Sequence, residues 1–173
     1  TFCGPVTAVV LTIAMLAGET AYLVYAMRAT RAEATASSQY ISVSAHRGGA
    51  RKAPENTMSA IKYAVDSMSD YAEIDVQETS DGEIALLHDT NLKRTTGLNA
   101  SIWTLTYDEI SQLDAGVQIK KKFRGEQIPK LEEVIAYAKG KINLNIEVKY
   151  NGHKQKSVKK VVKIIEDNDF VDQ

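Results

Sequence analysis

Ala72-Glu73-Ile74-Asp75-Val76 decides how this chain is read. Apolar and acidic residues alternate with the period of a strand, so Ile74 lies on one face and Glu73 and Asp75 on the other. A later stretch repeats the pattern: Ile142, Leu144, Ile146 and Val148 alternate with Asn143, Asn145, Glu147 and Lys149. Parallel strands are ordinarily covered on both faces, which favours apolar runs. Here one whole face of each strand is polar. In a (β/α)8 barrel such a face points into the lumen near the mouth, where the loops after the strands place catalytic groups.

The flanking segments alternate strand and helix. Residues 41–45 read as a short strand. Residues 57–68 read as an amphipathic helix on Met58, Ile61, Ala64/Val65 and Met68, led in and capped by Glu55-Asn56-Thr57. Asp81-Gly82 signals a turn, and residues 84–87 a buried strand ending at His88. Thr106 and Glu109 make a capping-box pattern before a short helix carrying Ile110 and Leu113, stopped at Gly116. Pro129 opens a helix on Leu131, Val134, Ile135 and Ala138, and Val158, Val161, Val162 and Ile165 mark the last one. Phe170-Val171 reads as the start of a further strand. A doubly wound sheet and a barrel both satisfy this α/β alternation, and the polar strand faces favour the TIM-type barrel. A complete barrel takes roughly 250 residues, so residues 40–173 are expected to hold about its first half.

The chain has 173 residues and a formal net charge of -1, which gives no reason to expect nucleic acid as a partner. Its single cysteine, Cys3, excludes a disulfide framework and a cysteine metal site within the chain. Residues 5–27 are almost wholly apolar, and about 20 such residues suffice for a helix to cross a bilayer. Glu19 interrupts the run, and a buried helix of a soluble domain is the alternative. The expected organisation is a transmembrane helix at 1–28, a small polar linker at 29–39 and the barrel domain at 40–173. A membrane localisation is the expectation. Arg28 and Arg31 alone would put the C-terminal side in the cytoplasm, and the side stays open because upstream spans would change that reading. With Thr1 first and Asp172-Gln173 last, the sequence reads as a piece cut at both ends.

Glu73 and Asp75, two residues apart on one strand face, would repel if buried together. A divalent cation removes that conflict, with Glu147 as a third oxygen ligand. Carboxylates without cysteine favour Mg2+ or Ca2+ over structural zinc. The alternative is a salt-bridged set with Lys149 or Arg47 as partners. His46 and His88 each follow an apolar strand, and imidazole exchanges protons near neutrality, which fits a general acid and a general base around a phosphoester. His153 reads as a loop residue. Arg47 offers a bidentate fork to phosphate, and Gly48-Gly49 permit close backbone approach. Lys120-Lys121-Lys122 and Arg124 read as a solvated basic loop, with an anionic membrane surface as the alternative.

Taken in order, His46-Arg47-Gly48, Ala53-Pro54-Glu55-Asn56-Thr57, Glu73-Ile74-Asp75-Val76, Thr79-Ser80-Asp81-Gly82, His88-Asp89, Leu92-Lys93-Arg94-Thr95-Thr96-Gly97, Ile128-Pro129-Lys130-Leu131-Glu132-Glu133 and Asn145-Ile146-Glu147-Val148-Lys149 resemble the glycerophosphodiester phosphodiesterase family. The resemblance implies a (β/α)8 barrel that hydrolyses glycerophosphodiesters to sn-glycerol 3-phosphate and an alcohol. It implies that His46 and His88 are the acid/base pair and that Glu73, Asp75 and Glu147 are the metal ligands. It puts Arg47 and Lys149 at the substrate phosphate, and gives Glu55 and Asn56 the shaping of the first loop. Some bacterial members carry membrane spans ahead of the catalytic domain, which residues 5–27 resemble. A related phospholipase acting on intact lipid, and a membrane-tethered barrel without turnover, are the alternatives.

Overall fold

The computed structural model describes residues 41–116, 121–153 and 156–173. The expected membrane span, the linker and Lys120 lie outside the described residues. Among the described residues, no helix is long and apolar enough to cross a membrane.

The sheet is built on the stretch that alternates most strictly. Among the described residues, strand β2, Tyr71–Glu78, pairs with every other strand: β1, Ser44–Ala45; β3, Ile84–Leu86; and β4, Asn143–Val148. β4 lies parallel along one edge of β2, from Tyr71↔Asn143 to Val76↔Val148. The other edge is shared. β1 runs parallel at its start, with Ala45 opposite Ala72, and β3 runs antiparallel at its end, from Val76↔Leu86 to Glu78↔Ile84.

The direction of β3 corrects the sequence reading, which made 84–87 one more strand of the parallel alternation. A parallel return needs a crossover of about a dozen residues or more. Only Thr79 to Glu83 separate β2 from β3, and Gly82 turns the chain at φ 90°. Three parallel strands therefore lie among the described residues, where half of an eight-stranded barrel implies four.

Helices cover one face of the sheet. Helix α1, Met58–Asp66, starts where the Thr57 side chain accepts from the Ala60 amide. It buries Ile61 and Ala64 against Ala72, Ile74 and Val76 of β2. A short helix α2, Lys93–Thr96, and helix α3, Tyr107–Ser111, follow β3; α3 carries the full Thr106/Glu109 capping box. Helix α4, Leu131–Ala138, buries Leu131, Val134, Ile135 and Ala138 in the same core as α1. Lys130, not Pro129, is its cap residue. Helix α5, Ser157–Asp167, adds Val161.

β3 explains why 84–87 reads as an unbroken apolar run. Ile84 and Leu86 enter the main core. Ala85 and Leu87 point the other way, into a second core with Leu92, Ile102, Ile110, Ala115 and Ile128. A strand buried on both faces has no polar face to show.

Elsewhere the periodicity overreached. The first strand is confined to Ser44–Ala45, with Ile41 and Val43 exposed. Met68 lies beyond α1 at φ 55° and is exposed. Val158 and Val162 face solvent, because α5 leans on the sheet through Val161. Phe170-Val171 is not a strand; Phe170 folds back into the main core and Val171 lies in a turn.

Ile74 is fully buried at the centre of β2, whereas Val158 is exposed. Ile74→Ala is therefore expected to cost roughly 2–5 kcal/mol through cavity formation. Val158→Ala is expected to change stability by less than about 0.5 kcal/mol. Urea unfolding followed by circular dichroism measures both.

Candidate active site

The polar face of the sheet gathers the residues that the sequence singled out. In the β2–β4 register Asp75 lies opposite Glu147 and Glu73 opposite Asn145. Carboxylate oxygens of Glu73, Asp75 and Glu147 lie within 4.8 Å of one another.

Asp75 is the buried member, with a side chain 1% exposed. Four contacts surround it. The Asn56 amide donates to its Oδ2 at 2.9 Å, and its own backbone amide donates to Asn56 Oδ1 at 3.1 Å. Lys149 Nζ stands 3.0 Å from Oδ1, and Arg47 Nε stands 3.6 Å from Oδ2. Lys149 also donates to Glu147 Oε1 at 2.6 Å, so its ammonium bridges the two carboxylates. Burial pushes the Lys149 pKa down, but its hydrogen bond to Glu147 and the negative charge of the nearby carboxylates outweigh it and hold the amine above its ordinary value. The salt-bridged alternative raised from the sequence is thus present in fact, and the cluster's demand for positive charge is plain.

His46 and Arg47 reach the site through the turn after β1. His46–Gly48 forms a 3-10 turn in which Arg47 adopts φ 50°, ψ 41°. There the Arg47 amide donates to Glu73 Oε2 at 2.7 Å, and His46 Nδ1 meets the same oxygen at 2.8 Å. The His46 side chain stays 70% exposed, so its remaining nitrogen is open to a ligand. The glycines that follow have a packing role. A Cβ on Gly48 would lie 3.0 Å from both Ala60 Cβ and Ile61 Cδ1, and one on Gly49 would lie 2.7 Å from the Tyr63 ring. Their small size, at φ 74° and 118°, lets the turn seat on α1.

His88 arrives from the hairpin. The Gln77 amide donates to the carbonyls of Leu87, His88 and Asp89 at 3.0, 3.2 and 2.8 Å and fixes the backbone there. His88 Nδ1 meets Asp89 Oδ1 at 2.7 Å. Arg94 on α2 donates through Nε to Asp89 Oδ2 at 2.7 Å, and through both terminal nitrogens to Glu55 at 2.7 and 2.8 Å. Arg47 Nη1 also donates to Glu55, at 3.0 Å. One web of contacts therefore joins His46, Glu73, Arg47, Asp75, Asn56, Lys149, Glu147, Glu55, Arg94, Asp89 and His88.

Arg94 and Gln77 were given no role by sequence reasoning. Arg94 stood within a quoted motif, but its partner Glu55 lies 39 residues away. Gln77 continues the Glu73, Asp75 alternation by one step, and that continuation was the available signal. Arg94's hydrogen bond holds the Asp89 carboxyl down to about 2. Burial works against ionised Glu55, but Arg94 and Arg47 outweigh it and keep its pKa below the ordinary value.

Over residues 46–171 the sequence matches the Glycerophosphoryl diester phosphodiesterase family, and the chain belongs to that family. A glycerophosphodiester phosphodiesterase of Caldanaerobacter subterraneus subsp. tengcongensis is 41% identical over 125 residues, 69% of this chain and 51% of the relative. Among solved structures, a glycerophosphodiester phosphodiesterase of Agrobacterium tumefaciens aligns with TM-score 0.71 at 32% identity, over 76% of this chain and 55% of that one. A phosphodiesterase of Oleispira antarctica, solved with the product sn-glycerol-3-phosphate, aligns with TM-score 0.70 at 32% identity, over 74% and 53%. These likenesses assign the sheet and its helices to a TIM-barrel-like α/β fold. The chain spans about half the length of the curated relatives it matches.

Ionised Asp89 is favoured in the folded state, because its pKa falls from 3.8 to about 2. That contribution to stability is complete above the unfolded value and is lost as pH falls through the folded one. The stability difference between the wild type and Arg94→Met is therefore expected to narrow as pH drops from about 4 to about 2. Urea titrations across that window check it, and a constant difference would contradict the ion pair.

Proposed function

We propose that this chain carries the phosphate- and metal-handling part of a glycerophosphodiester phosphodiesterase, which yields sn-glycerol 3-phosphate and an alcohol. The observation that carries the proposal is the convergence of Glu73, Asp75 and Glu147 within 4.8 Å, with His46, Arg47 and Lys149 in direct contact with them. Family membership and the product named for the Oleispira antarctica neighbour support the substrate class.

The donor set fits a hard divalent cation. It consists of three clustered carboxylates, and the buried Asp75 Oδ1 has no hydrogen bond although the Lys149 ammonium stands beside it. Glu73, Asp75 and Glu147 would hold Mg2+ or Ca2+, and the ion would supply positive charge for the phosphoryl oxygens. Arg47 and Lys149 bind the phosphate and orient it. With Nδ1 held by Glu73 in His46 and by Asp89 in His88, each ring presents Nε2 for proton transfer. One histidine takes the proton of the glycerol 2-hydroxyl as that oxygen attacks phosphorus. The other protonates the departing alcohol oxygen as the P–O bond breaks. Water then opens the cyclic phosphate, with the histidine roles reversed. Glu55 and Asn56 shape the first loop: Asn56 locks Asp75, and Glu55 ties Arg47 to Arg94.

In the protein that carries this chain, His46→Ala and His88→Ala are each expected to lower glycerophosphocholine turnover by about 10²–10⁴-fold. Metal binding should persist in the His88 variant. Normal turnover in either variant removes the acid/base assignment. Exhaustive chelation with EDTA is expected to stop the reaction and Mg2+ or Ca2+ to restore it; activity that survives chelation removes the metal.

The apolar length of residues 5–27 supports a further reading, a membrane tether for the domain. Retention in the membrane pellet after a high-salt wash, with release on deletion of residues 1–39, is the expected result. A pellet retained equally without those residues would count against it.

A further inference from the structure

Arg94 has no bond to the Glu73, Asp75 and Glu147 cluster, yet it links two parts of the site. Its guanidinium holds two carboxylates at once. Nε bonds Asp89 Oδ2, and the two terminal nitrogens bond both oxygens of Glu55. The other oxygen of Asp89 meets His88 Nδ1 at 2.7 Å, so both Asp89 oxygens are engaged, one by each partner. A side chain a third exposed would otherwise turn freely toward water, as Asp89 could with its 33% exposure. Arg94 is itself anchored from below. It sits on α2 between fully buried Leu92 and buried Thr95, and the helix stops at Gly97 with φ 87°.

These contacts divide the support of His88. Gln77 fixes the backbone of the 87–89 segment, and nothing in that contact sets the ring. Among the described side chains Asp89 is the ring's hydrogen-bond partner, and Asp89 is held in turn by Arg94. An ionised carboxylate at Nδ1 accepts a hydrogen bond from it, so the proton stays on Nδ1 and Nε2 is the unprotonated nitrogen of the neutral ring. Lysine could not replace the fork, because an ammonium is a point charge and cannot span two carboxylates with matched planar bonds.

We propose that Arg94 is a positioning residue that fixes the tautomer and orientation of His88 through Asp89, with Glu55 as its rear anchor. The geometry stands by itself; the consequence for turnover rests on the hydrolase reading above. Loss of Arg94 frees Asp89, and the His88 ring relaxes toward the tautomer mixture of a solvated imidazole.

Nitrogen-15 NMR of the histidine side chains in this chain tests the geometry without any turnover. In the wild type, neutral His88 is expected in the Nδ1–H form. Asp89→Asn and Arg94→Met are both expected to shift its ring nitrogens toward the solvated mixture, and Arg94→Lys to restore part of the wild-type pattern. An Arg94→Met spectrum that keeps the wild-type tautomer overturns the proposal. Should Arg94→Met fail to fold, Arg94→Lys decides, because wild-type ring shifts in that variant beside displaced ones in Asp89→Asn overturn it equally. Kinetics give a second readout. Arg94→Met is expected to lower kcat roughly 10- to 100-fold with KM nearly unchanged. In an Asp89→Asn background the same change should add little, since the two act in series. Additive losses overturn the series. A tautomer shift in a protein that hydrolyses no glycerophosphodiester would remove the function reading and leave the positioning intact.

Discussion

An ionised carboxylate sealed from water survives only where hydrogen bonds and opposite charges replace its hydration. Asp75 is the carboxylate that this sheet buries, and most of the site follows from providing for it. Asn56 must reach it with both ends of its amide, so the loop after the first turn is folded to bring Asn56 in at φ 56°. Lys149 must follow β4 at the height where its ammonium meets Asp75, which the Asp75↔Glu147 register supplies two residues earlier. Arg47 must turn inward, which its left-handed backbone and the two glycines after it allow. The apolar residues between, Ile74 and Val76, hold the strand rigid from the opposite face.

The same strand therefore serves two chemistries. One face of β2 is packed by the helices, and the other presents Glu73, Asp75 and Gln77 in a row. Each of these polar residues attaches a different segment. Glu73 takes the His46-Arg47 turn, Asp75 takes Asn56 and Lys149, and Gln77 takes the backbone around His88. The spacing of functional groups along the strand is thus the spacing at which loops are collected into one place.

What was legible in the sequence was whatever depends on local period or local capping. The strand faces of 72–76 and 142–149, the helix cap at Thr57 and the capping box at Thr106 and Glu109 are all fixed within a few residues of themselves. The direction of β3 needed a comparison of loop length with the reach of a crossover, and alternation of strand and helix says nothing of that. Met68 and Phe170 misled because an apolar residue just past a helix can be exposed or folded under, and only the surrounding packing decides. Arg94 was invisible as a site residue for another reason: its partners come from two loops, and a basic residue on a short helix has no period to betray it.

β3 carries one more implication. Its two faces belong to two different cores, Ile84 and Leu86 to one and Ala85 and Leu87 to the other. A segment mounted in that way cannot fray by itself, because releasing the strand opens both cores together. His88 follows directly after Leu87, so the residue that ends the hairpin inherits the opening free energy of the whole assembly rather than that of a surface loop. Amide exchange at Leu86 and Leu87 should report rare openings, whereas the His46 side chain stands in solvent.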